Sequence, residues 1–294
     1  MKLATFTDDR STRIGIVIDD SVIDLALAAP EMPQNMVAFL EAGERSMRKA
    51  RKAVERGEYT IPLARVHLEA PVLRPGKFLG IGENYYLRHA VPEVSDDDFR
   101  EIQARRAEAR AKGHPLWFNK QVTCVNGPYD PVELPALSNQ VFPEVELAFV
   151  IGRRCRNVAK EEAARVIAGY TICNDFTVAD WAGVSPTATL GKSFDTHGPL
   201  GPWIVTGEDI GDPHSLNLRA LVNGEERLAG NSSDMIFNCF ELIAYASRVF
   251  TFEPGDIVTT GMPSLGWKFL KPGDVVRCEI ERIGCIENRV VEAS

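Results

Sequence analysis

The sequence predicts a β-dominated α+β fold, and three observations carry that reading. Short apolar runs recur along the chain, divided by glycine and proline. Helical patterning is confined to a few segments. The 294 residues are 45% hydrophobic, enough to fill one large core, or one large and one small. Many short strands with few helices suit curved or closed sheets better than a doubly wound α/β architecture.

The elements follow in chain order. Residues 1–25 alternate, as in Thr12-Arg-Ile-Gly-Ile-Val-Ile and Ser21-Val-Ile-Asp-Leu, around an Asp19-Asp20 turn. This predicts a small antiparallel sheet. Residues 34–56 predict one or two helices. The stretch from Pro62 to Pro75 is extended, with Pro71 between. A boundary is expected near residue 70, giving a small N-terminal domain (1–70) and a larger domain (71–294). Phe78-Leu-Gly-Ile-Gly reads as a strand running into a loop. Residues 95–113 predict a charged helix: Ser95 caps it, Asp96, Asp97 and Asp98 fill its first turn, where the dipole favours acids, and Gly113 ends it. Strands are expected at Val145–Ile151, Tyr170–Cys173, Trp203–Thr206, Leu216–Val222, Asp256–Thr259 and Asp274–Ile280. Helices are expected at Glu161–Ala168, stopping at Gly169, and at Ile236–Ser247.

Composition excludes several roles. The formal net charge is -8, and the basic residues are scattered, so no nucleic-acid partner is expected. No run of about 18 apolar residues predicts a membrane span. The opening MKLATFTDD lacks the apolar run of a signal peptide. The six cysteines form no CxxC pair and are expected to be reduced thiols of a cytoplasmic protein.

The chemistry begins at Phe142-Pro-Glu-Val-Glu-Leu-Ala-Phe-Val-Ile-Gly152. Residues two apart on a strand share a face, so Glu144 and Glu146 point the same way. Adjacent carboxylates repel, and a bound cation relieves that repulsion. The same pattern also describes an exposed strand edge carrying two acids. A further acid, Asp175, stands where a strand is expected to leave for a loop, a position that turn and cap residues also fill.

Taken together, these segments resemble the fumarylacetoacetate hydrolase family. Gly82-Glu-Asn-Tyr85 with His89-Ala resembles GxNYxxHA, and Phe118-Asn-Lys120 resembles FxK. Glu144-Val-Glu-Leu-Ala-Phe-Val-Ile-Gly152 resembles EvELavVIG. Gly169-Tyr-Thr with Asn174-Asp-Phe-Thr177 resembles GYt…NDvS. Lys192-Ser-Phe-Asp-Thr with Gly198-Pro-Leu-Gly-Pro-Trp203 resembles KSfDtxxPlGPw. Val222-Asn-Gly-Glu, Glu253-Pro-Gly-Asp256 and Thr260-Gly-Met-Pro263 resemble VNGe, ePGD and TGTP. The match spans about residues 75–290.

The resemblance implies a mixed β-roll core, a homodimer, and a Mg2+ or Mn2+ ion (Ca2+ also suits oxygen ligands) on Glu144, Glu146 and Asp175. It implies a small keto-acid substrate and C–C hydrolysis, decarboxylation or tautomerisation. Hydrolysis of an acylpyruvate-like 2,4-diketo acid is the leading expectation. An isomerase or decarboxylase from aromatic catabolism, acting on a 2-hydroxydienoate such as 2-hydroxyhepta-2,4-diene-1,7-dioate or on an oxo-dicarboxylate, is the rival, and a non-catalytic family member is the third reading. His89 is the expected general base, with Glu93 four residues on as its partner. Lys192 is expected to stabilise developing oxyanion charge. Tyr85, Lys120, Lys192 and Thr260 are expected to bind substrate. His197 and His214 read as bystanders.

Three positions depart from the family pattern. Ala179 stands where an arginine is usual, Leu228 where a glutamine is, and Met262 where a threonine is. An arginine at 179 could pair with a substrate carboxylate, so its loss implies a more apolar substrate than fumarylacetoacetate.

Overall fold

The computed structural model describes residues 1–9, 11–87, 95–263 and 268–293. Two sheets dominate it, and both are mixed. The larger runs Thr60–Pro62, Ser21–Asp24, Thr12–Ile18, Lys2–Thr7, Gly198–Val205, Ile167–Asn174, Val145–Ile151, Ile257–Thr259, Phe78–Gly82, Leu116–Lys120. Its pairs along this path are antiparallel apart from Ile257–Thr259 with Phe78–Gly82, which is parallel. The smaller sheet runs Glu225–Asn231, Asn217–Val222, Val275–Ile280, Gly284–Glu292, Val132–Leu134. Here Gly284–Glu292 runs parallel to Val132–Leu134. The β-dominated α+β fold is therefore observed.

The strand Val145–Ile151 is the axis of the molecule. All seven of its residues are buried, so it serves two cores at once. Val145, Leu147, Phe149 and Ile151 face a core shared with the smaller sheet and the helix Cys239–Ala246. Ala148 and Val150 face a second core with the helices Met36–Glu41 and Glu44–Arg56. A strand covered on both sides reads as a near-continuous apolar run, which is how this segment is written.

The N-terminal antiparallel sheet forms as expected, and residues 34–56 form two helices. The first strand also pairs outward, Lys2 opposite Val205 and Leu3 opposite Ile204, so one hydrogen-bonded sheet joins the N-terminal segment to the rest. The charged helix spans Asp96–Lys112, with the Ser95 side chain accepting from the Asp98 amide and Gly113 left-handed behind it. Among the described residues no helix is long and apolar enough to cross a membrane. The six cysteines are unpaired, five of them buried.

One expected helix is corrected. Residues 160–166 form a 3-10 turn, and Ile167–Asn174 is already strand. Gly169 does not stop a helix but lies within that strand. A Cβ there would meet the Val205 carbonyl oxygen at 2.3 Å, so glycine lets two strands approach.

Candidate metal centre and its cavity

Two strands deliver the carboxylates. Val145 is paired with Asn174 across the antiparallel ladder, so Glu144 and Asp175 leave its end side by side. The Asp175 amide donates to the Glu144 carbonyl at 2.9 Å, and the Glu144 amide donates to Asn174 Oδ1 at 3.2 Å. These bonds keep the chain extended at Glu144, which precedes the strand, so it still shares a face with Glu146. One ligand atom from each of Glu144, Glu146 and Asp175 lies within 4.8 Å of the other two, and all three residues are buried. The exposed-edge reading of the acid pair does not hold here.

Each carboxylate is oriented by its own donors. Glu144 Oε1 accepts from Thr177 Oγ1 at 2.6 Å and from Lys192 Nζ at 2.7 Å. Asp175 Oδ2 accepts from Lys192 Nζ at 2.8 Å, and Oδ1 accepts from Lys120 Nζ at 2.5 Å. Glu146 Oε2 accepts from the Gly261 amide at 2.8 Å. Gly261 has φ +85, and a Cβ there would meet the Ile81 carbonyl oxygen at 2.8 Å. Only glycine brings this amide to Glu146 without strain.

The electrostatics follow from the charges. Three carboxylates face two ammoniums, which leaves one negative charge uncompensated in a buried setting. Burial, then repulsion from Asp175 and Glu144, pushes the Glu146 carboxyl well above the usual range. Burial also works against charge on Asp175, but Lys120 and Lys192 outweigh it and hold that carboxyl low. Burial opposes the Lys192 charge too, and Asp175, Glu144 and Glu146 override it and raise the pKa. A cation bound among the three acids would remove the remaining repulsion. The oxygen-only donor set fits a hard divalent ion such as Mg2+ or Mn2+.

The cluster opens into a cavity of about 210 Å³. Glu144, Glu146 and Lys192 line it, with Phe118, Phe142 and Met262 supplying apolar wall. Lys120 does not line it. Its ammonium has three protons and donates to Asp175, the Lys192 carbonyl and the His197 carbonyl, so it holds a ligand in place with no donor left over. Tyr85 and Thr260 also lie behind the wall. They are fully buried, with the Tyr85 hydroxyl 3.2 Å from Thr260 Oγ1, which in turn donates to the Leu147 carbonyl at 2.9 Å. Lys120, Tyr85 and Thr260, expected to bind substrate, thus stand behind the residues that line the cavity. His89 and Glu93 lie outside the described residues.

Two residues gain a place that the sequence did not signal. Arg106 lines the cavity from the charged helix. His197 is fully buried beside Phe176 and Phe194, with Nε2 2.9 Å from the Glu133 carbonyl. His214 is partly exposed beside Asp212. Of the departures, Met262 is in the cavity wall, Leu228 is core, and Ala179 opens the short helix Ala179–Ala182.

The family model for the fumarylacetoacetate (FAA) hydrolase C-terminal domain matches residues 77–291. The mitochondrial oxaloacetate tautomerase fahd2 of Xenopus laevis is 38% identical, covering 99% of this chain and 90% of its own. Maleylpyruvate hydrolase from Sphingobium sp. SYK-6, solved with manganese (II) ion and pyruvate, is 34% identical with a TM-score of 0.81, covering 100% of both chains. The 5-carboxymethyl-2-hydroxymuconate delta-isomerase of Mycobacterium smegmatis is 29% identical with a TM-score of 0.76, again over 100% of both chains.

Proposed function

Because the chain belongs to the fumarylacetoacetate hydrolase family, we propose that it is a divalent-metal-dependent hydrolase that cleaves a C–C bond in a short acylpyruvate-like 2,4-diketo acid. One observation carries the reading. Two carboxylates of a buried three-acid cluster, Glu144 and Glu146, and Lys192 line a single small cavity whose remaining wall is largely apolar, with Asp175, the third acid, beside them. Its volume lies below the usual range for sites that take drug-sized ligands, which suits an acid of few carbons. The maleylpyruvate hydrolase match, with manganese and pyruvate in its solved structure, supports both the metal and the leaving fragment.

Glu144, Glu146 and Asp175 would hold Mg2+ or Mn2+. The ion would supply Lewis-acid polarisation of the 2-keto acid oxygens. Lys192 holds its charge beside two of these carboxylates and is placed to stabilise negative charge that grows on a substrate oxygen. Lys120 keeps Asp175 ionised and fixed, the Gly261 amide fixes Glu146, and Thr177 fixes Glu144. Phe118, Phe142 and Met262 keep bulk water from the reacting carbons, which strengthens every charge interaction inside. Proton abstraction from water falls to His89, assisted by Glu93, on the family pattern.

A second reading rests on the tautomerase relatives at 38% identity: proton transfer between the keto and enol forms of a 2-keto acid, with no attacking water. Acylpyruvates and oxaloacetate, offered with Mn2+, with Mg2+ and after EDTA, separate the two by product mass. Release of pyruvate and a carboxylic acid, lost with EDTA, in Glu146→Ala and in His89→Ala, is the expected result. Lys192→Met should lose on the order of 100-fold in kcat while binding metal at least as tightly, because a competing cation is gone. Accelerated keto–enol exchange without fragmentation would replace hydrolase by tautomerase. Metal-independent turnover, or full activity in Glu146→Ala, would sink both.

A further inference from the structure

The charged helix Asp96–Lys112 has one buried residue, and it is an arginine. Arg106 is 3% exposed and reaches the cavity that Glu144, Glu146 and Lys192 line. Its Nη1 donates to the Tyr85 carbonyl, while its buried Nε has no hydrogen-bond partner. Among the described residues no carboxylate pairs with it. The acid beside it, Glu83, accepts instead from Arg105 at 2.7 Å. Burial lowers the Arg106 pKa to about 10, so the group stays charged at neutral pH with its desolvation poorly repaid.

A buried guanidinium without a counter-ion is costly. Its planar fork is matched to a carboxylate, which it can take through two parallel hydrogen bonds. The metal cluster already accounts for the keto-acid end of a substrate. We propose that Arg106 receives the second carboxylate of a short dicarboxylic 2-keto acid and so sets a preference for diacids over monoacids. The cation missing at Ala179 is then supplied from a different element, and the expectation of a more apolar substrate is reversed. This inference rests on the reading of the cavity as a 2-keto acid site.

The test uses two stable probes of equal chain length, 2-oxoglutarate and 2-oxopentanoate, which differ in one terminal carboxylate. Their binding to the Mn2+-loaded protein is measured by calorimetry, in wild type, Arg106→Met and Arg106→Lys. Helix content by circular dichroism checks that each variant keeps the fold. A hydrogen bond to a charged group is worth about 10- to 100-fold in affinity. Wild type should prefer the diacid by that factor, Arg106→Met should erase the preference while leaving the monoacid within about threefold, and Arg106→Lys should restore part of it. Equal binding of both acids by wild type, or an equal loss of both in Arg106→Met, would overturn the inference alone and leave Arg106 as a pin for its helix. Failure of wild type to bind either acid would overturn the 2-keto acid reading, and the inference with it.

Discussion

At the scale of single residues, buried charge decides this site, and His197 shows how burial can dominate a pKa. Its ring lies among Phe176 and Phe194, and burial brings its pKa from 6.5 to about 4. The neutral ring is therefore the native form, with Nε2–H donating to the Glu133 carbonyl at 2.9 Å. A lowered histidine pKa means that the unfolded chain binds the proton more readily. Stability from this group is present in full above pH 6.5 and drains away as pH falls towards 4. The shift corresponds to about 3 kcal/mol. Urea unfolding in EDTA, at pH 7.5 and pH 4, should show wild type losing that much more stability than His197→Gln between the two values. Parallel pH dependences would show that the ring is protonated without cost. The sequence made the metal carboxylates legible because the strand period is a local property, and it aligned Glu144 with Glu146 even though Glu144 precedes the strand. Nothing local distinguishes His197 from a surface histidine or Arg106 from its charged neighbours. Their burial comes from partners in other elements, 21 residues away for Arg106 and Tyr85 and 64 for His197 and Glu133.

At the scale of elements, the helix Asp96–Lys112 has only a thin apolar face, with Phe99, Ile102 and Ala109 half-buried around the buried Arg106. It is attached by polar ties: Gln103 Nε2 donates to the Leu87 carbonyl at 2.9 Å, Arg105 pairs with Glu83 at 2.7 Å, and Arg110 pairs with Glu241 at 3.2 Å. Its ends were readable because caps are written locally, in Ser95 and Gly113. What it packs against was not, since an arginine interrupts its short stripe of Phe99, Ile102 and Ala109. The turn at residues 160–166 failed for the converse reason. A helix-forming composition there yields to strand pairing that begins at Ile167, and only the approach of Val205 explains Gly169. Surface ion pairs are weak and screened by salt, whereas apolar burial is strengthened by excluded salts. Hydrogen exchange should therefore find residues 96–112 far less protected than 145–151 at low salt. In 1 M NaCl the helix should lose protection while the strand keeps it. A helix that exchanges as slowly as Val145–Ile151, and at the same rate in salt, would show that Phe99 and Ile102, not the polar ties, anchor it.

At the scale of the whole molecule, the question is how far the N-terminal segment is separable from the chemistry it flanks. Composition and prolines place a boundary near residue 70, and the family model begins at residue 77. The hydrogen bonds run across that line. The strand Lys2–Thr7 lies between Thr12–Ile18 and Gly198–Val205, and the Thr206 amide donates to the Met1 carbonyl at 2.9 Å. The second core is shared as well: Leu3, Ile14, Ile16 and Phe39 pack with Ala148, Val150, Cys173 and Ile257. Ala148 and Val150 share the strand that presents Glu146, and Cys173 is two residues from Asp175. Removing residues 1–70 would strip one face of that strand and open the edge of Gly198–Val205. Each large side chain so exposed costs about 1.5–3 kcal/mol, and an apolar open edge invites aggregation. Since domains of this size are stable by only about 5–15 kcal/mol, a few such losses are enough to unfold the remainder. The chain 71–294 made alone is expected to be insoluble or to unfold without cooperativity, and to bind no Mn2+ by calorimetry. Supplying residues 1–70 as a separate chain during refolding should recover soluble, metal-binding protein. A soluble, cooperatively folded 71–294 that binds Mn2+ like the full chain would show that the boundary in composition is also a boundary in stability, and that the shared sheet is a contact between two self-sufficient units.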